Sequence, residues 1–482
     1  MTKATFHLPP ELRLNAWTGF DAPSAKLGAG QLRWASAAAQ EPPFKPAHRA
    51  PELIDDSDWR SPKVGWGLVL PDNPQLPASV LATAADAPEP IRRLVAERGN
   101  APVLRWRATG SRIGSLVRYD AVNGREWPMS MRRPAGTGVG ELPLYLLIFA
   151  PPSSIPWSFQ YAANPGRIVG RLWLEGEALE NYVGALIADW QGTRCDVHAP
   201  LAWSVDHGKP DITWLMDRAI SRKVVNAWAG DRSDDFGRLS HLQGDQATNG
   251  NLIETLARTQ PALVLTTSHG MTGPLSDAAR MTAQLGLPVD AAHRPLDLEA
   301  LCEAWQPDGA IWYSHACCSA GSDTASAYEG LFDPASEVAR ILGGVAAGCG
   351  ARIAPLPQRL LGAKRPLRAF IGHVEPTFDW TLLDPVSQEP LTHSLVDALY
   401  QNLFAGGRRW PIGLSLAPLF AKVGPLYAEW READFAGQHG VPGQAAMALH
   451  RQIQALDLQH TVILGDPTVA LPALHGSGKA KR

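Results

Sequence analysis

Ala262-Leu263-Val264-Leu265-Thr266-Thr267-Ser268-His269-Gly270 and, further on, Gly309-Ala310-Ile311-Trp312-Tyr313-Ser314-His315-Ala316-Cys317-Cys318 decide how this chain is read. Each is a short apolar run that stops at a reactive side chain. Short β-prone apolar runs beside turn residues read as buried strands of a parallel sheet. Ligands of such sheets sit outside the carboxyl ends of the strands. His269 at one strand end and Cys317 at another, 48 residues apart, are therefore expected on one edge, with a helix over 298–305 between them. A thiol nucleophile needs a base to form the thiolate and backbone donors to hold the oxyanion. A strand ending in His-Gly and a strand ending in Ala-Cys supply both.

Working outward, the chain has 482 residues, which predicts two or three domains. Apolar residues make up 45% and charged residues 19%, as in a folded protein. The net charge of −3 gives no reason to expect nucleic acid or an anionic membrane as partner. No apolar run reaches transmembrane length, and the first residues lack the apolar core of a secretion signal. Both point to a cytoplasmic protein. Five sparse cysteines (Cys195, Cys302, Cys317, Cys318, Cys349) do not suggest a disulfide framework.

Residues 1–105 are rich in Pro and read as an irregular extension of unknown role. Within it, 64–70 is predicted as a strand and 90–97 as a helix with Pro90 in its first turn. Alternating apolar residues predict strands near 103–107 and 116–119. Residues 125–140 read as loop. Apolar runs over 142–150 and 168–174 predict buried strands. Helical faces are predicted over 177–190, 211–220, 248–258, 337–347, 391–404 and 445–456, with Thr248 or Asn249 capping the third. Residues 461–464 form the last strand, and Asp466 is expected to fix a turn. Strands alternating with helices predict an α/β fold with a mainly parallel sheet.

Taken together, His-Gly after one strand and Ala-Cys after the next resemble the caspase-like cysteine peptidases, most closely the gingipain branch and its bacterial relatives. Several stretches carry the resemblance: 144–148 with Ile155-Pro156-Trp157-Ser158-Phe159-Gln160-Tyr161; Val169-Gly170-Arg171-Leu172; Ser268-His269-Gly270-Met271; and His315-Ala316-Cys317 with Ala320-Gly321. It continues through Leu356-Pro357-Gln358-Arg359-Leu360-Leu361, Ile371-Gly372-His373-Val374-Glu375 and Leu464-Gly465-Asp466-Pro467-Thr468. The resemblance implies a three-layer αβα sandwich with a mainly parallel sheet. It divides the chain into the extension 1–105, an N-terminal α/β subdomain 106–250, a catalytic subdomain 251–470 and a flexible tail 471–482. It implies a cysteine endopeptidase acting on protein or peptide substrates through a His269/Cys317 dyad, without cofactor or metal. A place in a bacterial defence or cell-death system, gated by a small molecule or partner protein, goes with it. Gingipains are secreted, so the missing signal is a departure from the family. A silent relative that uses the cleft as a binding module, and a related acyl-transfer enzyme such as a ligase, are the alternatives.

Each site residue has a plainer reading beside the chemical one. His269 is the expected base; alternatively it ends a strand and bonds a loop carbonyl. Cys317 is the expected nucleophile, against a buried structural thiol and against its neighbour Cys318, which is followed by Ser319-Ala320-Gly321. The activated thiol is expected to have a pKa lowered by His269. The amides of Gly270 and Cys317 are the oxyanion donors by position and by resemblance. His315 falls on the face of Cys317 by strand alternation, so it either lines the substrate pocket or packs in the core. His373 and Glu375 end the following strand and are further pocket candidates. Asp277 and Asp323 lie just past the two site loops and could form an acidic pocket for a basic substrate residue. The segment 271–294 is expected to act as a mobile flap.

Other chemistries fit poorly. A cysteine phosphatase loop needs Arg six residues after the thiol; Asp323 and Thr324 stand there. Paired zinc-ligand spacings are missing, and Gly343-Gly344 to Gly350 does not follow a strand, which makes a dinucleotide loop a weak reading.

Overall fold

Leu263–Thr267 and Ile311–His315 are neighbouring parallel strands, in register from Leu263 against Ile311 to Thr267 against His315. All ten residues are buried, as their apolar runs require. The computed structural model describes residues 9–19, 22–29, 31, 54–110, 113–231, 235–404 and 409–474. Among them, twelve strands form one sheet. Its order is Ser240–Gln243, Leu201–Ser204, Leu263–Thr267, Ile311–His315, Ala369–His373, Thr461–Gly465, Ile168–Leu172, Tyr145–Phe149, Trp66–Pro71, Val103–Arg107, Ser115–Tyr119 and Glu126–Met129. Eight of its eleven neighbouring pairs are parallel. The antiparallel ones are Ala369–His373 with Thr461–Gly465 and the two pairs at the Glu126–Met129 end. The molecule is thus α/β with a large, mostly parallel sheet and packed helices, compatible with three layers. No helix among the described residues is long and apolar enough to cross a membrane.

The expected boundaries at 105/106 and 250/251 are not breaks in this sheet. Trp66–Pro71 lies inside it, between Tyr145–Phe149 and Val103–Arg107, so the stretch read as an irregular extension contributes a central strand. Leu201–Ser204 pairs with Leu263–Thr267 and with Ser240–Gln243 in the same sheet. Strand partnership is a long-range choice that local periodicity does not encode. The seam between the two halves runs where Ile463 and Leu464 face Gly170 and Arg171. The Asp466 turn sits on it: the carboxylate accepts from the Thr468 N–H at 2.9 Å and from the Trp66 indole at 2.9 Å.

Most predicted helices are present with shifted ends, among them Glu89–Glu97, Gly176–Ile187, Asn249–Thr259, Glu337–Cys349 and Gln444–His460. Thr248 caps the third through Asn251 N–H at 3.2 Å. The 211–220 and 391–404 helices each break into an α and a π segment. Glu126–Met129, read as loop, is a strand at the sheet edge with two exposed residues, so its pattern carries no apolar run.

The N-terminal segment contributes the element that closes the site edge. Glu11–Arg13 pairs antiparallel with Ser24–Lys26, and Ala16–Trp17 pairs parallel with Gly270–Met271. Leu12, Leu14 and Ala16 are fully buried. The remaining expected tail, 475–482, lies outside the described residues.

Candidate active site

The two central strands deliver their terminal residues to one edge. The Ser268 N–H donates to the His315 carbonyl at 3.3 Å, tying the strand ends together. Gly270 then passes directly over Cys317. A methyl group at Gly270 would fall 2.0 Å from the Cys317 carbonyl oxygen, and one at Gly286, with φ +69°, 2.2 Å from the Cys318 carbonyl. Neither position has room for a side chain. The thiol turn itself is tight: Cys318 has φ +54°, a conformation costing on the order of 1–3 kcal/mol outside glycine. Ser319 pins it, donating to the Ser314 carbonyl at 3.2 Å and accepting the His373 N–H at 3.0 Å.

His269 is completely buried. Its Nε2 donates to Asp211 Oδ2 at 2.9 Å. That contact fixes the tautomer, because an ionised carboxylate only accepts. Nδ1 is left as an acceptor and has no hydrogen-bond partner among the described residues. Asp211 is also the N-cap of Ile212–Met216, taking the Thr213 N–H at 2.8 Å and hydroxyl at 2.6 Å. Burial works to raise its carboxyl, but the bonds from His269 and Thr213 outweigh it and hold the group well below the usual carboxylate range. Sequence reading placed a helix here and missed the role of Asp211. The Asp-x-Thr cap signature was visible, but nothing local ties it to a residue 58 positions away.

Aromatic rings enclose the imidazole. Trp17 stacks on it with centroids 5.9 Å apart, and His207 stacks nearly parallel to it at 5.8 Å. His293 meets Trp17 edge-on at 4.4 Å and His207 at 4.0 Å. Burial, then the neighbouring His269, depresses His207 to about 4, so it is neutral at physiological pH.

Both candidate thiols are buried, Cys317 at 0% and Cys318 at 1% exposure. Because Nδ1 of His269 is unpartnered, neither sulfur is bonded to it. Burial pushes the Cys317 thiol far up, outweighing the Thr377 N–H that favours the thiolate; Cys318 is raised by burial and then by Cys317. The expected lowering by His269 is therefore corrected: burial raises both thiols instead.

The pocket residues separate into groups. Cys318, Asp323 and Glu375 line one small recess with Ser322, Ser326 and Val374. Glu375 accepts the Ser326 hydroxyl and the Ala327 N–H, each at 3.0 Å, and burial pushes it up to about 7. Asp277 is elsewhere, an exposed N-cap of Ala278–Gln284. His315 and His373 do not line an open pocket. Nδ1 of His315 lies 3.0 Å from the Tyr313 hydroxyl and 3.2 Å from His373 Nε2, and both rings are buried. Burial drops His315 to about 3 and takes His373 well below its ordinary value. The expected flap 271–294 contains a helix with buried Met281 and is bridged back onto Gly270 through Pro288.

Among the described residues, no group of three or more His, Cys, Asp or Glu side chains is arranged to hold a metal ion. No family model, curated protein or solved structure matches this chain.

Proposed function

We propose that the protein is a cysteine endopeptidase of the caspase-like kind. One observation carries this reading: His269-Gly270 and Ala316-Cys317 end adjacent parallel strands with their backbones in contact, and the partly buried Asp211 carboxylate holds the buried His in the tautomer a base needs. Nδ1 of His269 takes the Cys317 proton, and the thiolate attacks the substrate carbonyl. The Gly270 and Cys317 amides face the oxyanion. Collapse of the tetrahedral intermediate breaks the C–N bond. The imidazolium returns its proton to the leaving amine, and water then hydrolyses the thioester.

Cys317 is preferred over Cys318 because its backbone touches Gly270, whereas Cys318 turns into the recess of Asp323 and Glu375. A second reading, a silent binding module, is favoured by the burial of both thiols without contact to the imidazole. A peptide-library cleavage assay separates them. Cleavage by wild type under activating conditions, lost in Cys317→Ala and largely kept in Cys318→Ala, is the expected result. No cleavage under any activating condition favours the binding module.

A further inference from the structure

The mechanism leaves residues 12–17 unused, although they cross the edge where Cys317 and His269 meet. We infer that this segment is seated as a substrate peptide would be, with the Asn15–Ala16 bond over Cys317. The cleft then accepts extended peptides with a small, uncharged polar side chain ahead of the scissile bond, and the chain's own N-terminal segment holds it shut. The inference rests on the peptidase reading for its assignment of Cys317.

Main-chain bonding carries the argument. The Asn15 N–H donates to the Thr377 carbonyl at 3.0 Å, and the Thr377 N–H faces the Cys317 thiol. On the other side, Ala16 and Trp17 pair in parallel with Gly270 and Met271, and the Thr272 N–H donates to the Trp17 carbonyl at 3.2 Å. In a parallel ladder, a residue bonds to the two positions flanking its partner. That alternation aims the Gly270 N–H, the oxyanion donor of the mechanism, at the carbonyl of Asn15. The bond from Asn15 to Ala16 therefore spans from Thr377 to Gly270, and both of those residues adjoin Cys317.

Side chains follow the same pattern. Leu14 bridges antiparallel to Phe378, and Arg13 bonds Asp379 through its N–H at 3.3 Å and its Nε at 3.1 Å. Leu12, Leu14 and Ala16 join the apolar cluster that contains Cys317 and Cys318. Asn15 is fully buried, and both polar atoms of its side-chain amide lack partners among the described residues. Trp17, two residues past the bond's carbonyl side, covers His269. Strand addition of this kind draws affinity from main-chain bonds and selectivity from alternate side-chain pockets. As part of the same chain the segment acts at a high effective concentration.

The test reads thiol access separately from cleavage. In the full chain, Arg13→Ala/Trp17→Ala should raise the rate of iodoacetamide labelling at Cys317 by about tenfold or more, followed by peptide mass analysis. A synthetic peptide of residues 10–19 should restore protection, and the same peptide carrying Asn15→Lys should need at least tenfold more. On the unmodified chain, millimolar wild-type peptide should speed hydrogen exchange over residues 11–17, a measurement that does not depend on the variant folding. Unchanged labelling together with unchanged exchange overturns the inference. Equal competition by both peptides overturns the assigned preference, and a native chain that begins at Ala16 overturns the closed strap. Fast labelling of the variant without cleavage of any library peptide removes the peptidase reading and leaves the strap in place.

Discussion

Asp211 and His269, 58 residues apart in sequence, are joined Oδ2 to Nε2 at 2.9 Å with the imidazole wholly buried. The carboxylate does for the ring what a third triad member does: it selects the tautomer and stabilises the imidazolium once formed. Asp211→Asn keeps the cap on Thr213 but offers the ring an amide. Cleavage by this variant should fall by about 10²–10⁴-fold, mainly in kcat, with the acid limb of the pH profile displaced. Stability should respond as well. The folded carboxyl titrates below its unfolded value, so its contribution is present above about pH 4 and lost as pH falls through the folded pKa. The stability gap between wild type and variant should therefore close on acidification, as read by urea titrations. A variant with full activity would remove Asp211 from the machinery.

The parts of the fold that were legible in sequence are those set by local pattern. The runs ending at His269 and Cys317 are fully buried on both faces, so they are continuous in apolar character and easily read. The same holds for Tyr145–Phe149 and Ile168–Leu172. Ser240–Gln243 was invisible because it is half-exposed at the sheet edge and mostly polar. Asp211 and Trp17 were missed for another reason. Each reaches His269 only through tertiary packing, and in sequence they look like a helix cap and one more aromatic in a Pro-rich stretch. The thiol pKa was misjudged on the same ground: the two strand ends that bring His269 and Cys317 to one edge were legible, but not the packing that buries the thiol.

Asp457 and three histidines, His315, His373 and His460, are buried in the interior. Asp457 Oδ1 lies 4.0 Å from His373 Nδ1. Burial pushes Asp457 up to about 7, and burial takes His315 and His460 to about 3. The two classes act in opposite directions. The histidines ionise more readily when unfolded, so their neutral burial weakens the fold as pH falls below about 6.5. Asp457 is protonated when folded and ionised when unfolded between about pH 4 and 7, so its effect weakens the fold as pH rises through that window. Asp457→Asn removes only the second effect. Relative to wild type, the variant should gain stability between about pH 4 and 7, on the order of 2–4 kcal/mol. Denaturation midpoints at several pH values measure it. A gap that stays constant with pH would mean that Asp457 is ionised in the folded protein.

Asp466 holds the seam between the two halves of the sheet. Its carboxylate takes the Trp66 indole N–H at 2.9 Å from one half and the Thr468 N–H at 2.9 Å from its own turn, and it lies 3.4 Å from Arg98 Nη2. Its own N–H donates to the Tyr182 hydroxyl at 2.7 Å. Arg98 is buried beneath it, its guanidinium 4.2 Å from the Trp59 ring and 4.4 Å from the Trp66 ring. Burial lowers the Arg98 pKa, against the raising effect of Asp466. Asp466→Ala leaves that cation unpaired in the interior, which costs about 3–5 kcal/mol. Asp466→Asn keeps an acceptor for Trp66 and loses only the charge, for about 1–3 kcal/mol. Urea denaturation followed by tryptophan fluorescence should rank wild type above Asn and Asn above Ala. Because Asp466 ties Trp66 to the strand Thr461–Gly465, the Ala variant should lose structure first on the 66–172 side in hydrogen exchange. Equal stabilities for the two variants would show that the indole bond adds nothing, and a loss below about 1 kcal/mol in both would show that the seam is held by strand pairing alone.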